Sequence, residues 1–223
     1  MEKFNTNYRE LGYLLALTII VYFLRDSVFL FPLWRLGTLF HELGHGIGAV
    51  LTGGSIREIQ INYDGGGLCK TTGGWRFVTL PAGYLGNMLV GGMLMCWAAH
   101  SKQDRKIMRY LGIFLLIFTF AYVRPVPGFG FLFCILTSTA IIALSSYASQ
   151  KINDFFLKII GLNSSLQAVF HLPNYANPRS DATKFSELLG GTPFFWATVW
   201  WITALVASFY FLYIATRYKV SNE

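Results

Sequence analysis

The segment His41-Glu42-Leu43-Gly44-His45 sets two imidazoles four residues apart, with a carboxylate beside the first. On a helix, positions i and i+4 lie one turn apart on the same face, so both rings can bind one metal ion. Glu42 then stands where it can take a proton from metal-bound water. The chain holds four His and six Glu in 223 residues. At those frequencies an H-E-x-x-H match arises by chance roughly two times in a thousand. The motif lies inside the apolar run from about Phe31 to Leu51. Two His and one Glu buried there without a metal would be costly.

A catalytic zinc usually takes three protein ligands and keeps one position for water. His41 and His45 supply two. The candidates for the third are Asp64, His100, Asp154, His171, Asp181 and Glu187. His100 and Asp154 fall at helix ends that the charge pattern assigns to the cytoplasm. Asp64 falls in a turn, where Asp is expected anyway. The chemistry of the residues leaves His171, Asp181 and Glu187 open. Ser180 or Asp181 also suits the N-cap of a short amphipathic helix over Ala182–Leu189. Asn87 sits in an apolar segment and needs a polar partner there. It reads either as inter-helix glue or as the donor that a developing oxyanion would want.

The elements that must position these groups are apolar. The chain is 54% hydrophobic, 17% aromatic and 13% charged, where a soluble domain carries about 25% charged residues. This composition indicates an all-α polytopic membrane protein, and the length suits about six to seven helices of ~20 residues. The net charge of +7 resides largely at helix ends, which points to membrane topology and not to nucleic acid. Cys69, Cys96 and Cys134 are widely spaced and define no disulfide framework.

A single membrane-embedded unit over residues 1–223 is expected. Residues 10–25 form a first helix, retained because no A-x-A-like cleavage site follows Leu24. Residues 30–52 form the motif helix, with Pro32 in its first turn and Gly53-Gly54 as its stop. Gly44, Gly46 and Gly48 inside it indicate close approach of a neighbouring helix or of backbone. Residues 55–76 form a small β-hairpin or three-stranded meander around Asp64-Gly65-Gly66-Gly67, whose free edge can accept an extended peptide. The rest of the fold lies in residues 77–223. There Ala82, Gly83 and Gly86 make a small-residue face, and Lys102, Arg105, Lys106 and Arg109 mark a cytoplasmic loop. Residues 155–172 form the least apolar candidate span, and the polar segment 173–192 precedes a last helix rich in Trp and Tyr.

An H-E-x-x-H motif inside an apolar helix resembles the intramembrane zinc metalloproteases of the site-2 protease class, and is most similar to the M50B-like peptidase family. Leu80-Pro81-Ala82-Gly83-Tyr84-Leu85-Gly86 looks like the small-residue segment that follows the hairpin in that family. Ser180-Asp181-Ala182-Thr183, followed by Thr192-Pro193 and Trp196, is similar to its second metal-ligand segment. The likeness spans about residues 30–200. It implies Zn2+ held by His41, His45 and Asp181, with Glu42 as general base. The chain departs from the pattern where Asn177-Pro178 is followed by Arg-Ser-Asp-Ala and not by Asp-Gly.

The function that the resemblance implies is an intramembrane zinc endopeptidase, cutting a peptide bond in or near a transmembrane segment. The partners are then a transmembrane or membrane-associated protein substrate and the lipid bilayer, with an oligomer also possible. The setting is a bacterial inner membrane or a eukaryotic endomembrane. Three other readings compete. One is a zinc hydrolase acting on a soluble or membrane-exposed peptide. Another is a non-enzymatic scaffold with a relic metal site, and an intact Glu42 argues against it. The third is a transporter, which would call for repeated halves that the chain does not show.

Overall fold

The computed structural model describes residues 4–170, 177 and 180–219. Its elements in chain order are β1 (Phe4–Thr6), α1 (Tyr8–Leu24), α2 (Phe31–Leu51), β2 (Ser55–Ile61), β3 (Gly67–Thr72), α3 (Arg76–His100), α4 (Asp104–Tyr122), α5 (Phe129–Tyr147), α6 (Gln150–Phe170), α7 (Asp181–Leu189), α8 (Pro193–Ala215) and β4 (Arg217–Lys219).

The fold is mostly helical, but the expected six to seven spans are not all self-evident. Among the described residues three helices, α3, α5 and α8, are long and apolar enough to cross a membrane. The others are shorter or carry charge. α1 has 17 residues. α2 contains Arg35 and Glu42 besides its two His, α4 opens with Asp104, Arg105, Lys106 and Arg109, and α6 contains Lys151, Asp154 and Lys158.

α3 is the central helix and packs on α2, α6, α7 and α8. Small residues make this possible, because a side chain would hold the backbones apart. A Cβ at Gly44 would run into the Ala82 carbonyl, and one at Gly91 would run into the α6 backbone at Gly161 and Ser165. α6 is the least apolar of the long helices, yet it is deeply packed: Asn153, Asn163, Ser164 and Ser165 are all buried. Its Lys158 is buried too, with Nζ 2.8 Å from both Glu10 of α1 and Asp154. Burying such an ammonium is tolerable only with paired carboxylates.

The segment after α2 is a two-stranded hairpin, not a meander. β2 and β3 pair antiparallel from Ser55↔Thr72 to Ile61↔Gly67, with an irregularity between Ile56 and Glu58. Gly65 takes φ +99° in the connecting turn, a conformation open to glycine. The hairpin is tied down on two sides. At its tip, Arg35 Nη2 donates to Tyr63 O at 2.6 Å and Thr38 Oγ1 to Gly65 O at 3.1 Å. Along the outer edge of β2, Arg124 N donates to Ile59 O at 2.9 Å. Ile59 and Ile61 sink into the core with Leu39, Leu43, Val123 and Phe131. Among the described residues nothing pairs with the outer edge of β3.

Candidate metal centre

Helical periodicity brings His41 and His45 together on α2, with their Nε2 atoms 3.1 Å apart. α3 packs so closely here that a Cβ at Gly83 would strike both imidazoles. The main chain of α3 also orients one ring: His45 Nδ1 lies 2.7 Å from Thr79 O. Since that oxygen can only accept, Nδ1 carries the hydrogen and Nε2 keeps its lone pair. Two Nε2 atoms at 3.1 Å are held together by a proton or a metal ion between them.

The third donor arrives from α7. Ser180 is the N-cap of this helix and accepts from Thr183 N, so Asp181 is freed from capping and stands at the first helical position. Its Oδ2 lies 3.2 Å from His45 Nε2 and 3.4 Å from His41 Nε2. Burial alone would raise the Asp181 carboxyl, but positive charge on the imidazole pair outweighs it and holds the group below the ordinary carboxylate range.

His41, His45 and Asp181 form a group that can hold a metal ion. Zinc bonds of about 2.0–2.1 Å at tetrahedral angles place ligand atoms about 3.3 Å apart. The three observed edges, 3.1, 3.2 and 3.4 Å, outline one face of such a tetrahedron. A set of two imidazole nitrogens and one carboxylate oxygen also suits zinc chemically.

Glu42 stands beside this triangle against the hairpin, interacting with His41, His45 and Asp181, and is only 6% exposed. A Cβ at Gly67 would collide with its carboxylate, which also interacts with the Cys69 backbone. Burial and the neighbouring Glu42 push the Cys69 thiol up to about 12. Gly46, one turn along, leaves room for Ile56 and Cys69 of the hairpin. The three motif glycines are thus accounted for by α3 on one side and the hairpin on the other.

These groups open onto a cleft of about 1140 Å³, walled by β3, α3, α6 and α7. Asn87 lines it, but its Nδ2 donates to Gln167 Oε1 at 2.8 Å, and Gln167 Nε2 donates to Trp34 O at 3.0 Å. Asn87 Oδ1, an acceptor, is buried and without a partner, and one hydrogen of the amide NH2 remains beyond the one given to Gln167. Tyr84 lines the same cleft, its ring edge-on to His41 at 4.7 Å between centroids.

The remaining ligand candidates stand elsewhere. Glu187 is exposed. Asp64 accepts from Gly66 N at 2.9 Å in the hairpin turn, Asp154 pairs with Lys158, and His100 lies between the carbonyls of Cys96 and Arg217. His171 lies outside the described residues. Sequence reasoning missed Thr79, Gln167 and Tyr84. Gln167 alone had a readable signal, as an amide inside a largely apolar helix.

Residues 13–211 match the family described as Peptidase M50B-like. No curated protein and no solved structure matches the chain.

Proposed function

This chain belongs to the Peptidase M50B-like family, and from that premise we propose that it is an intramembrane zinc endopeptidase acting on a membrane-protein substrate. The observation that carries this reading is the triangle of His41, His45 and Asp181 donors beside a buried Glu42. In this reading His41 Nε2, His45 Nε2 and an Asp181 oxygen hold the metal. Bound zinc supplies Lewis acidity, which acidifies a water and polarises a peptide carbonyl.

The chain's own residues do the rest. Glu42 takes the proton of the attacking water and returns it to the departing amide nitrogen. Its burial against Gly67 keeps bulk water from competing for that proton. Thr79 O holds His45 in one tautomer, an outer-shell function that keeps the ligand oriented.

The hairpin supports a specific mode of substrate binding. β2 already spends part of its outer edge on Arg124, and among the described residues β3 is the strand whose edge is unpaired. Leu68, Cys69 and Thr71 of β3 line the cleft, so an unwound segment added to β3 would run past Glu42. Main-chain hydrogen bonds would hold it with little dependence on sequence. The small-residue contacts of α3 with α2 and α6 keep the helices close around the cleft. Asn87 and Gln167 tie α2, α3 and α6 together beside it.

The test uses purified protein in phosphatidylcholine vesicles with a quenched-fluorescent single-span peptide. Wild-type protein should cleave it and contain one zinc per chain. Glu42→Gln should keep the zinc and lose at least about 10³-fold in rate. A Glu42→Gln protein that cleaves at the wild-type rate would overturn the proposal.

A further inference from the structure

Hydrolysis puts negative charge on the scissile carbonyl oxygen, and a preorganised donor aimed at that oxygen is worth a large part of the rate. Several side chains that line the cleft beside the metal-ligand group carry donors, among them Asn87, Gln167, Lys184, Thr79 and Tyr84; the Thr79 hydroxyl is itself buried. Two of them are held in place by the protein: Asn87 gives one amide hydrogen to Gln167, and Gln167 gives one to Trp34 O. Lys184 sits at the outer side of α7, 38% exposed, with Nζ 3.9 Å from Asp181 Oδ1. Its ammonium is solvated and drawn to a ligand carboxylate.

Tyr84 differs on every count. Gly83 is where α3 touches both imidazoles, so Tyr84 is the next side chain along the helix from that closest approach. The ring is clamped edge-on to His41 at 4.7 Å and against Trp200 at 6.1 Å. Leu80 and Trp200 pack around it, while Met88 and Ala168 hold it from the other side. Such packing fixes a side chain in one orientation without expense at the moment of reaction. Among the described residues no hydrogen bond engages its hydroxyl, and that hydroxyl is within electrostatic reach of both Asp181 and Glu42.

We propose that Tyr84 is a catalytic residue, its phenol O–H donating a hydrogen bond to the scissile carbonyl oxygen as charge builds there. This rests on the peptidase reading above. The phenol keeps its proton throughout, so no bond forms or breaks at Tyr84. It stabilises charge and leaves proton transfer to Glu42. Asn87 instead offers an acceptor, which suits a substrate main-chain N–H.

Tyr84→Phe tests this, because it keeps the ring between His41 and Trp200 and removes only the hydroxyl. Two readouts are taken on zinc-loaded protein in vesicles: cleavage of the quenched-fluorescent single-span peptide, and binding of a non-hydrolysable phosphinic analogue of the same peptide. The expected result is a fall of about 10²-fold in kcat, with KM and zinc content unchanged. Phosphinate affinity should fall by a similar factor, and affinity for a simple chelator should not. If wild-type protein cleaves and binds the phosphinate, and Tyr84→Phe matches it in both, the role of Tyr84 is overturned alone. Wild-type protein that neither cleaves nor binds the phosphinate overturns the peptidase reading, and the role of Tyr84 with it.

Discussion

His45 Nδ1 and the main-chain oxygen of Thr79 stand 2.7 Å apart, joining the motif helix to α3 at the candidate metal centre. The bond is possible because α3 carries glycine at position 83, where its backbone meets both imidazoles. The helix that orients the ligand is therefore also the one that leaves it no spare room.

Gly83→Ala tests that fit. The added methyl group has to displace the His41 and His45 rings, or push α3 back and stretch the Thr79 contact. Metal affinity should drop by about 10–100-fold, the range seen when outer-shell support of a ligand is lost. Zinc titration against a competing chelator reads this directly, and wild-type affinity in the variant would show that the ring positions do not depend on α3.

Asp181 and Glu187 lie six positions apart on and around one short helix, and they predict opposite outcomes. Asp181→Asn removes the carboxylate charge beside the two imidazoles and should reduce bound zinc well below one per chain. Glu187→Ala removes an exposed side chain and should leave zinc content and cleavage as in wild type. Elemental analysis of the two purified variants decides it; a reversed result would transfer the third-ligand role.

The Asn87–Gln167 pair makes a prediction about stability. Gln167→Ala leaves the buried Asn87 amide without its partner, which costs about 1–3 kcal/mol, and Asn87→Ala costs less because Gln167 is half-buried and keeps Trp34 O. The double variant should cost less than the sum of the two, because neither amide is then orphaned by the other. Thermal unfolding in detergent of all four members of the cycle measures the coupling. Additive losses would mean that the 2.8 Å contact contributes nothing.

Cys69 predicts a pH dependence. Burial first, and Glu42 second, push its thiol up to about 12, and the thiolate is the form that alkylates. In a variant keeping Cys69 as its sole cysteine, maleimide labelling should be slow at neutral pH. It should still be rising about tenfold per pH unit beyond pH 9, where an ordinary thiol levels off. Glu42→Gln removes one of the two causes and should speed labelling at a fixed pH. A plateau near pH 9 in the Glu42-intact protein would contradict the placement of β3 over the motif.

Much of the fold was legible because helices in an apolar chain announce themselves by length and punctuation. Pro32, the Gly53-Gly54 stop, the Asp64-Gly65-Gly66-Gly67 turn and the run before Arg217 set boundaries that local stereochemistry enforces. Phe129–Tyr147 agrees residue for residue. The span count was less legible. α2, α4 and α6 are long helices that carry charge, some of it paired across helices as Lys158 is with Glu10, and composition alone does not say whether such a helix crosses or only packs.

The sequence by itself determined the pair of imidazoles and the adjacent carboxylate, because a four-residue spacing on a helix brings two side chains together whatever the rest of the chain does. It also determined that glycines would let something approach α2. Tertiary structure alone decided what approached. It brought Asp181, 136 residues beyond His45 in the sequence, to within 3.2 Å of it, set Thr79 O on the back of the ring, joined Asn87 to Gln167, and left the Tyr84 hydroxyl without a hydrogen bond among the described residues. None of these follows from local spacing, since each depends on which faces of α2, α3, α6 and α7 pack together, and that choice is made by the whole core at once.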